Sequence, residues 1–170
     1  MRYLNLLALL ALLSVASQAQ APAKPADPEL IGVIYSLDPA SHELKRLPSD
    51  TWKVHQAQGF AKVTRQVRLE GAASAFRIAG GDKITLVFTA VGDDAMNVRA
   101  YPCVVKEGRR ECDLAKFGRG STPAPNIPAS LAKYGDSSYK LTPDQPLNPG
   151  EYAVVFSDKV FTFGVDAAAK

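Results

Sequence analysis

The chain has 170 residues, with 20 Lys and Arg against 17 Asp and Glu, a formal net charge of +3. A balance this close to neutral, with both signs interspersed along the chain, excludes the basic stripe by which proteins neutralise nucleic-acid phosphates. With two histidines and two cysteines, no set of three or four metal ligands at recognisable spacing is present either, and no cofactor is expected.

The first nineteen residues carry the parts that export requires in order. Arg2 supplies a positive end, residues 4–13 an apolar run interrupted only by Asn5, and Ser17 and Ala19 the small residues of a cleavage site, with cleavage expected after Ala19. The apolar run is too short to span a bilayer, for which about 20 residues are needed, and no second run follows, so the mature chain is expected to have no transmembrane segment. The first cysteine is Cys103, far from the cleavage region, which rules out a bacterial lipoprotein anchor. A periplasmic or secreted location is the expectation. Loss of the signal removes Arg2 and leaves 19 basic and 17 acidic residues.

Residues 20–28 are rich in Pro and Ala, a composition that stays extended and reads as a tether. Residues 29–166 then form one domain, long enough to bury a core without metals or many disulfides. Residues 167–170 are expected to be a disordered polar and alanine tail. Within the domain the dominant signal is period-two alternation in short runs broken by Gly, Pro, Asp and Asn. Strands are predicted at 30–37, 43–47, 52–56, 62–70, 75–79, 83–90, 97–106, 110–116, 138–141, 151–157 and 159–165. In 83–90, Ile84, Leu86, Phe88 and Ala90 share a face, with Val87 as the exception. In 62–70, Val63, Val67 and Leu69 share one, and Arg65 interrupts it at the rim.

Turn chemistry supports the pattern. Residues 38–41, 80–82 and 157–158 have the composition of hairpin connections. One short helix is predicted from Pro128, a residue tolerated in a first helical turn, to Tyr134, with Gly135 as its stop. Residues 118–125 read as a surface loop. About ten short strands and one short helix make an all-β, antiparallel sandwich, immunoglobulin-like or related, the expected fold.

Cys103 and Cys112 flank a segment centred on Glu107-Gly108, a pair able to make a two-residue hairpin turn. That turn sets 106 opposite 109 and 103 opposite 112, in a non-hydrogen-bonded pair whose Cα atoms approach to about 4.5 Å. The separation lies within disulfide reach, and export supplies the oxidising setting. Two free buried cysteines are the competing reading. A redox dithiol would instead show C-x-x-C at a helix N-terminus. Around this hairpin Lys106, Arg109, Arg110, Lys116 and Arg119 form a basic cluster interrupted by Glu107, Glu111 and Asp113. It reads either as a solvated hairpin tip or as a contact patch for an acidic partner or an anionic envelope surface.

No catalytic motif is present. His42 and His55 read as surface residues, and Asp93 and Asp94 lie in a polar loop without the spacing of a calcium site. Ser121, Ser137 and Ser138 lack the strand-to-helix setting of a nucleophile elbow. The stretch 118–121 lacks the Lys and the following helix of a phosphate loop. A carboxylate pair for glycoside hydrolysis is assembled in space, and nothing in the sequence selects one.

Near the C-terminus, Leu147-Asn148-Pro149-Gly150-Glu151-Tyr152-Ala153 launches a strand with Tyr152, Val154 and Phe156 on one face, its Tyr able to bury its ring while bonding backbone through its hydroxyl. Phe161, Phe163 and Val165 line one face of the return strand. These residues resemble a group of exported bacterial proteins whose C-termini read L-x-P-G-E-Y-A and then F-x-F-G-V-D, and Tyr35-Ser36-Leu37-Asp38 is similar to their opening hairpin. The resemblance implies a β-sandwich in the bacterial envelope or outside the cell, and it carries no catalytic residue. The expected function is non-enzymatic binding of a protein or envelope component. The competing reading is a small secreted hydrolase, or hydrolase inhibitor, with a loop-built site.

Overall fold

The computed structural model describes residue 25 and residues 27–58, 62–118 and 126–168. The expected signal peptide, most of the tether and residues 119–125 lie outside the described residues. Twelve strands are described: β1 (Ile34–Leu37), β2 (Leu44–Arg46), β3 (Trp52–Gln58), β4 (Lys62–Leu69), β5 (Arg77–Ile78), β6 (Leu86–Thr89), β7 (Arg99–Lys106), β8 (Arg109–Gly118), β9 (Ala129–Lys133), β10 (Ser138–Pro143), β11 (Gly150–Phe156) and β12 (Lys159–Val165). They form a five-stranded sheet in the order β2-β1-β6-β10-β9 and a seven-stranded sheet in the order β3-β4-β8-β7-β11-β12-β5. The fold is an all-β sandwich, antiparallel except where β5 runs parallel to β12.

The eleven predicted strands all form. The predicted helix does not: residues 129–133 are β9, an edge strand paired with β10 through Leu131↔Leu141. Ala-Ser-Leu-Ala-Lys has good helix propensity, but Ala129 and Leu131 alternate onto the sandwich core, and pairing with a neighbour outweighs local preference. The polar loop expected at 92–97 is instead a 3-10 helix, Gly92–Asn97. Asp27 and Pro28, assigned to the tether, belong to the domain. The Asp27 carboxylate accepts hydrogen bonds from the Ser137 amide (3.1 Å), the Ser137 hydroxyl (3.0 Å) and the Ser138 hydroxyl. These bonds, that from Ser138 foremost, hold the Asp27 pKa down at about 2.

Between the two sheets lies the main core. Ile34, Leu86, Phe88 and Leu141 come from the smaller sheet and face Val154, Phe156, Phe161 and Phe163 of the larger. Phe88 and Phe156 meet with ring centroids 5.1 Å apart and Tyr152 stacks on Phe163 at 5.3 Å. The Tyr152 hydroxyl donates to the Asn148 carbonyl at 2.6 Å, which satisfies the polar end of a ring whose burial raises its pKa.

A second core lies on the opposite face of β11 and β12. Ala153 and Val160 pack there with Val67, Leu69 and Cys112, flanked by Trp52, Tyr101 and Leu114. This face is dry because the larger sheet curls on itself. The lead-in to β3 lies antiparallel beside β12, with Ser49 bridging Phe161, the Asp50 amide donating to the Val160 carbonyl (3.0 Å) and the Thr162 amide to the Pro48 carbonyl (3.2 Å). Strands buried on both faces read as nearly continuous apolar runs, as in Tyr-Ala-Val-Val-Phe of β11.

Two cores separated by one hairpin predict a penalty for truncation on each of its faces, scaled to the side chain removed. Phe163→Ala is expected to cost about 3–5 kcal/mol. Val160→Ala is expected to cost about 2 kcal/mol, the loss of buried methyl area plus a cavity. Urea denaturation of the two variants checks this; a Val160 variant as stable as the parent would mean that the second face is wet.

Candidate functional site

Strands β7 and β8 form the hairpin expected around Glu107-Gly108. Cys103 pairs with Cys112 and Lys106 with Arg109, and the turn residues have φ of 48° and 76°. Both angles lie in the left-handed region, as a two-residue turn matched to strand twist requires, and Gly108 takes the second without steric cost. The cysteines are joined by a disulfide, with Cα atoms 4.2 Å apart. Cys112 is fully buried in the second core, so the bond ties the hairpin to the interior of the curled sheet. Of the intervening valines, Val104 is 59% exposed and Val105 47%.

Of the five basic residues singled out by sequence, Arg110 leaves the surface. Arg110 is 3% exposed and cannot meet a partner. Its side chain follows Cys112 to the inner face, where Nη2 donates to Asp50 Oδ2 (2.8 Å) and the Glu70 carbonyl (2.9 Å), and Nε to the Gly71 carbonyl (3.1 Å). Lys106 and Arg109 remain on the outer face, already engaged. Glu111 lies among Arg68 Nε at 2.9 Å, Arg109 Nε at 3.2 Å and Lys106 Nζ at 3.7 Å, while Arg109 also reaches Glu107 at 3.1 Å. Lys116 is on β8 opposite Thr64, and Arg119 lies outside the described residues. Sequence reading therefore found the hairpin and missed Arg68, which comes from β4 and is invisible to a local count of charge.

Asp50 belongs to a polar chain that sequence did not reveal. Its Oδ2 also accepts from the Thr162 hydroxyl (2.8 Å), which bonds the Ser74 hydroxyl (3.0 Å). The Ser74 amide donates to Glu151 Oε2 (2.7 Å), whose other oxygen pairs with Arg77. Arg77 then reaches Asp166 at 2.6 Å. It lies across Gly164 of β12, where a Cβ would overlap its guanidinium. Asp166, then Glu151, raise the Arg77 pKa further by stabilising its charge. The chain runs along the seam where the larger sheet meets itself, so its first role is to close the fold. Sequence held one signal of it: if Cys112 points inward, Arg110 does too.

Comparison of the chain with protein-family models, with curated proteins and with solved structures gives no match. The chemistry must therefore be read from the residues. His42 sits in the turn between β1 and β2 with a φ of 58° and His55 lies on β3. Among the described residues no group of three His, Cys, Asp or Glu is placed to hold a metal ion, and no helix is long and apolar enough to cross a membrane. Ser137 and Ser138 donate to Asp27, which makes them a clasp for the start of the domain. What the site offers is a stapled hairpin whose outer face sets exposed Val104 among paired charges.

Two measurements test this assignment of residues. Replacing both cysteines by Ala is expected to destabilise the fold by about 2–3 kcal/mol, the loop-closure value for so short a loop, and reduction of the parent chain should reproduce the loss in a urea melt. Arg110→Met is expected to cost about 3–5 kcal/mol because Asp50 loses its cation and the Glu70 and Gly71 carbonyls lose their donor. Arg109→Met should change stability by no more than about 1 kcal/mol, because Arg109 is partly exposed and the Glu111 carboxylate keeps Arg68 and Lys106. Equal effects of the two arginine variants would return Arg110 to the surface.

Proposed function

We propose that the protein is exported and that it binds a protein or envelope component through the outer face of the β7–β8 hairpin, without catalysing a reaction. The observation that carries this reading is Val104, a large aliphatic side chain held 59% exposed on a backbone fixed by a disulfide below and a two-residue turn above. It borders a groove of about 160 Å³ lined by Gln66, Pro102, Lys106, Glu111 and Asp113. An apolar centre inside a rim of charged groups is the anatomy of a protein–protein contact. Because the rim charges are already paired with one another, they select orientation and exclude wrong partners more than they attract an acidic one. Rigidity matters as well, since a preformed hairpin loses little entropy when it docks.

Support for export comes from the charged start, apolar run and small residues of the N-terminus, from a disulfide that needs an oxidising compartment to persist, and from the resemblance of the closing strands to exported bacterial proteins. The test is capture from an envelope extract with the mature chain as bait. Val104→Asp, at an exposed position, is expected to lower recovery of the specific partner by about tenfold or more. Lys140→Glu, on the smaller sheet, should leave recovery unchanged. Equal recovery by the parent and the Val104 variant would overturn the proposal.

A further inference from the structure

A cavity of about 430 Å³ opens at one end of the sandwich, between the 3-10 helix Gly92–Asn97 and β9. Its floor is the edge of the main core: Val98, Ala100 and Leu141, each buried, with Ile127 and Leu131 beside them. The walls are held by backbone bonds. The Ile127 amide donates to the Ala100 carbonyl at 2.8 Å and the Asp144 amide to the Pro128 carbonyl at 3.0 Å, so the space is part of the fold. Its size falls in the range of small-molecule sites.

The lining is chemically uneven. Every floor residue is aliphatic, and among the described residues no aromatic ring lines the cavity. That composition provides no stacking platform for a planar ligand and suits a flexible hydrocarbon chain. On the rim, Arg99 is the one cation among the described lining residues. Its Nη1 donates to the carbonyls of Met96 (2.6 Å) and Val98 (2.8 Å). Those bonds fix the guanidinium, which forms no ion pair with a described carboxylate, and leave Nε and Nη2 able to donate. Met96 next to it is exposed and extends the apolar surface outward. Across the rim, Asp144 accepts a hydrogen bond from the Ser130 hydroxyl at 2.7 Å.

We infer that this cavity binds an aliphatic carboxylate, its chain on Val98, Ala100, Ile127, Leu131 and Leu141 and its head on Arg99. An anchored guanidinium with two free donors matches a carboxylate, and burial of each methylene adds favourable free energy. Asp144 works against such a head, so the two rim residues act with opposite sign. The inference does not depend on the hairpin contact proposed above, because β9 and the 3-10 helix take no part in the groove beside Val104.

Calorimetry and amide chemical shifts on the mature chain, with decanoate as the probe, test it. Decanoate is expected to bind saturably and to shift the amides of residues 95–100, 127, 129–131 and 141. Acetate, which lacks the chain, and decylammonium, which inverts the charge, should bind at least about tenfold more weakly. Arg99→Gln, an exposed substitution, is expected to weaken decanoate binding about tenfold. Asp144→Asn is expected to strengthen it. No saturable binding, equal binding of decylammonium, or an Asp144→Asn variant that binds decanoate more weakly would overturn the assignment.

Discussion

Strands β11 and β12 are covered on both faces, and the rest of the fold follows from that requirement. One face of the hairpin carries Tyr152, Val154, Phe156, Phe161 and Phe163 and needs a second sheet. The other carries Ala153 and Val160 and needs cover of its own. The chain supplies the first with β1, β6 and β10, and the second by curling β7, β8, β4 and β3 until the lead-in to β3 lies beside β12. A sheet with one wet face would leave Val160 and Ala153 against water, and the apolar area so exposed would remove a large share of the stability of a domain this size.

Closing the larger sheet brings polar groups into the interior at the seam. Arg110 and Asp50 would each be costly alone in such a place, and together with Thr162, Ser74, Glu151, Arg77 and Asp166 they leave few polar atoms without a partner. A network of this kind adds little net stability over an apolar filling. Its value is in register. Asp50 meets Arg110 and Thr162 only when the lead-in to β3 and β12 are aligned as they are, because a one-residue slip turns every side chain of a strand to the other face.

The same alternation divides the β7–β8 hairpin into two chemistries. Residues 103, 110 and 112 face inward and serve the fold, while Val104, Lys106 and Arg109 face outward and are available for recognition, over a Glu111 that lies buried beneath the cations it pairs with. Charge on the outer side is balanced by Glu111, which takes three cations from three strands. A surface of this kind discriminates among partners by shape and by its apolar centre. The cavity beside Arg99 is different in kind, since there a cation faces an aliphatic floor and no described carboxylate is paired to it.

Periodicity and turn chemistry alone settled which residues become strands in eleven cases, and the disulfide followed from counting outward from Glu107-Gly108, because hairpin register is a local property of the turn. Burial of the Tyr152 ring with its hydroxyl on nearby backbone was also legible, since donor and acceptor lie four residues apart. Three things were not. The strand at 129–133 looked helical because its partner β10 lies beyond a turn and its propensity favours a helix. The inner position of Arg110 was hidden behind its net charge, although its spacing from Cys112 pointed to it. The second core, the seam and the Arg99 cavity join residues as far apart as Ser74 and Thr162 or Ala100 and Ile127. Such pairings exist only once the sheet has curled, and tertiary structure alone decides them.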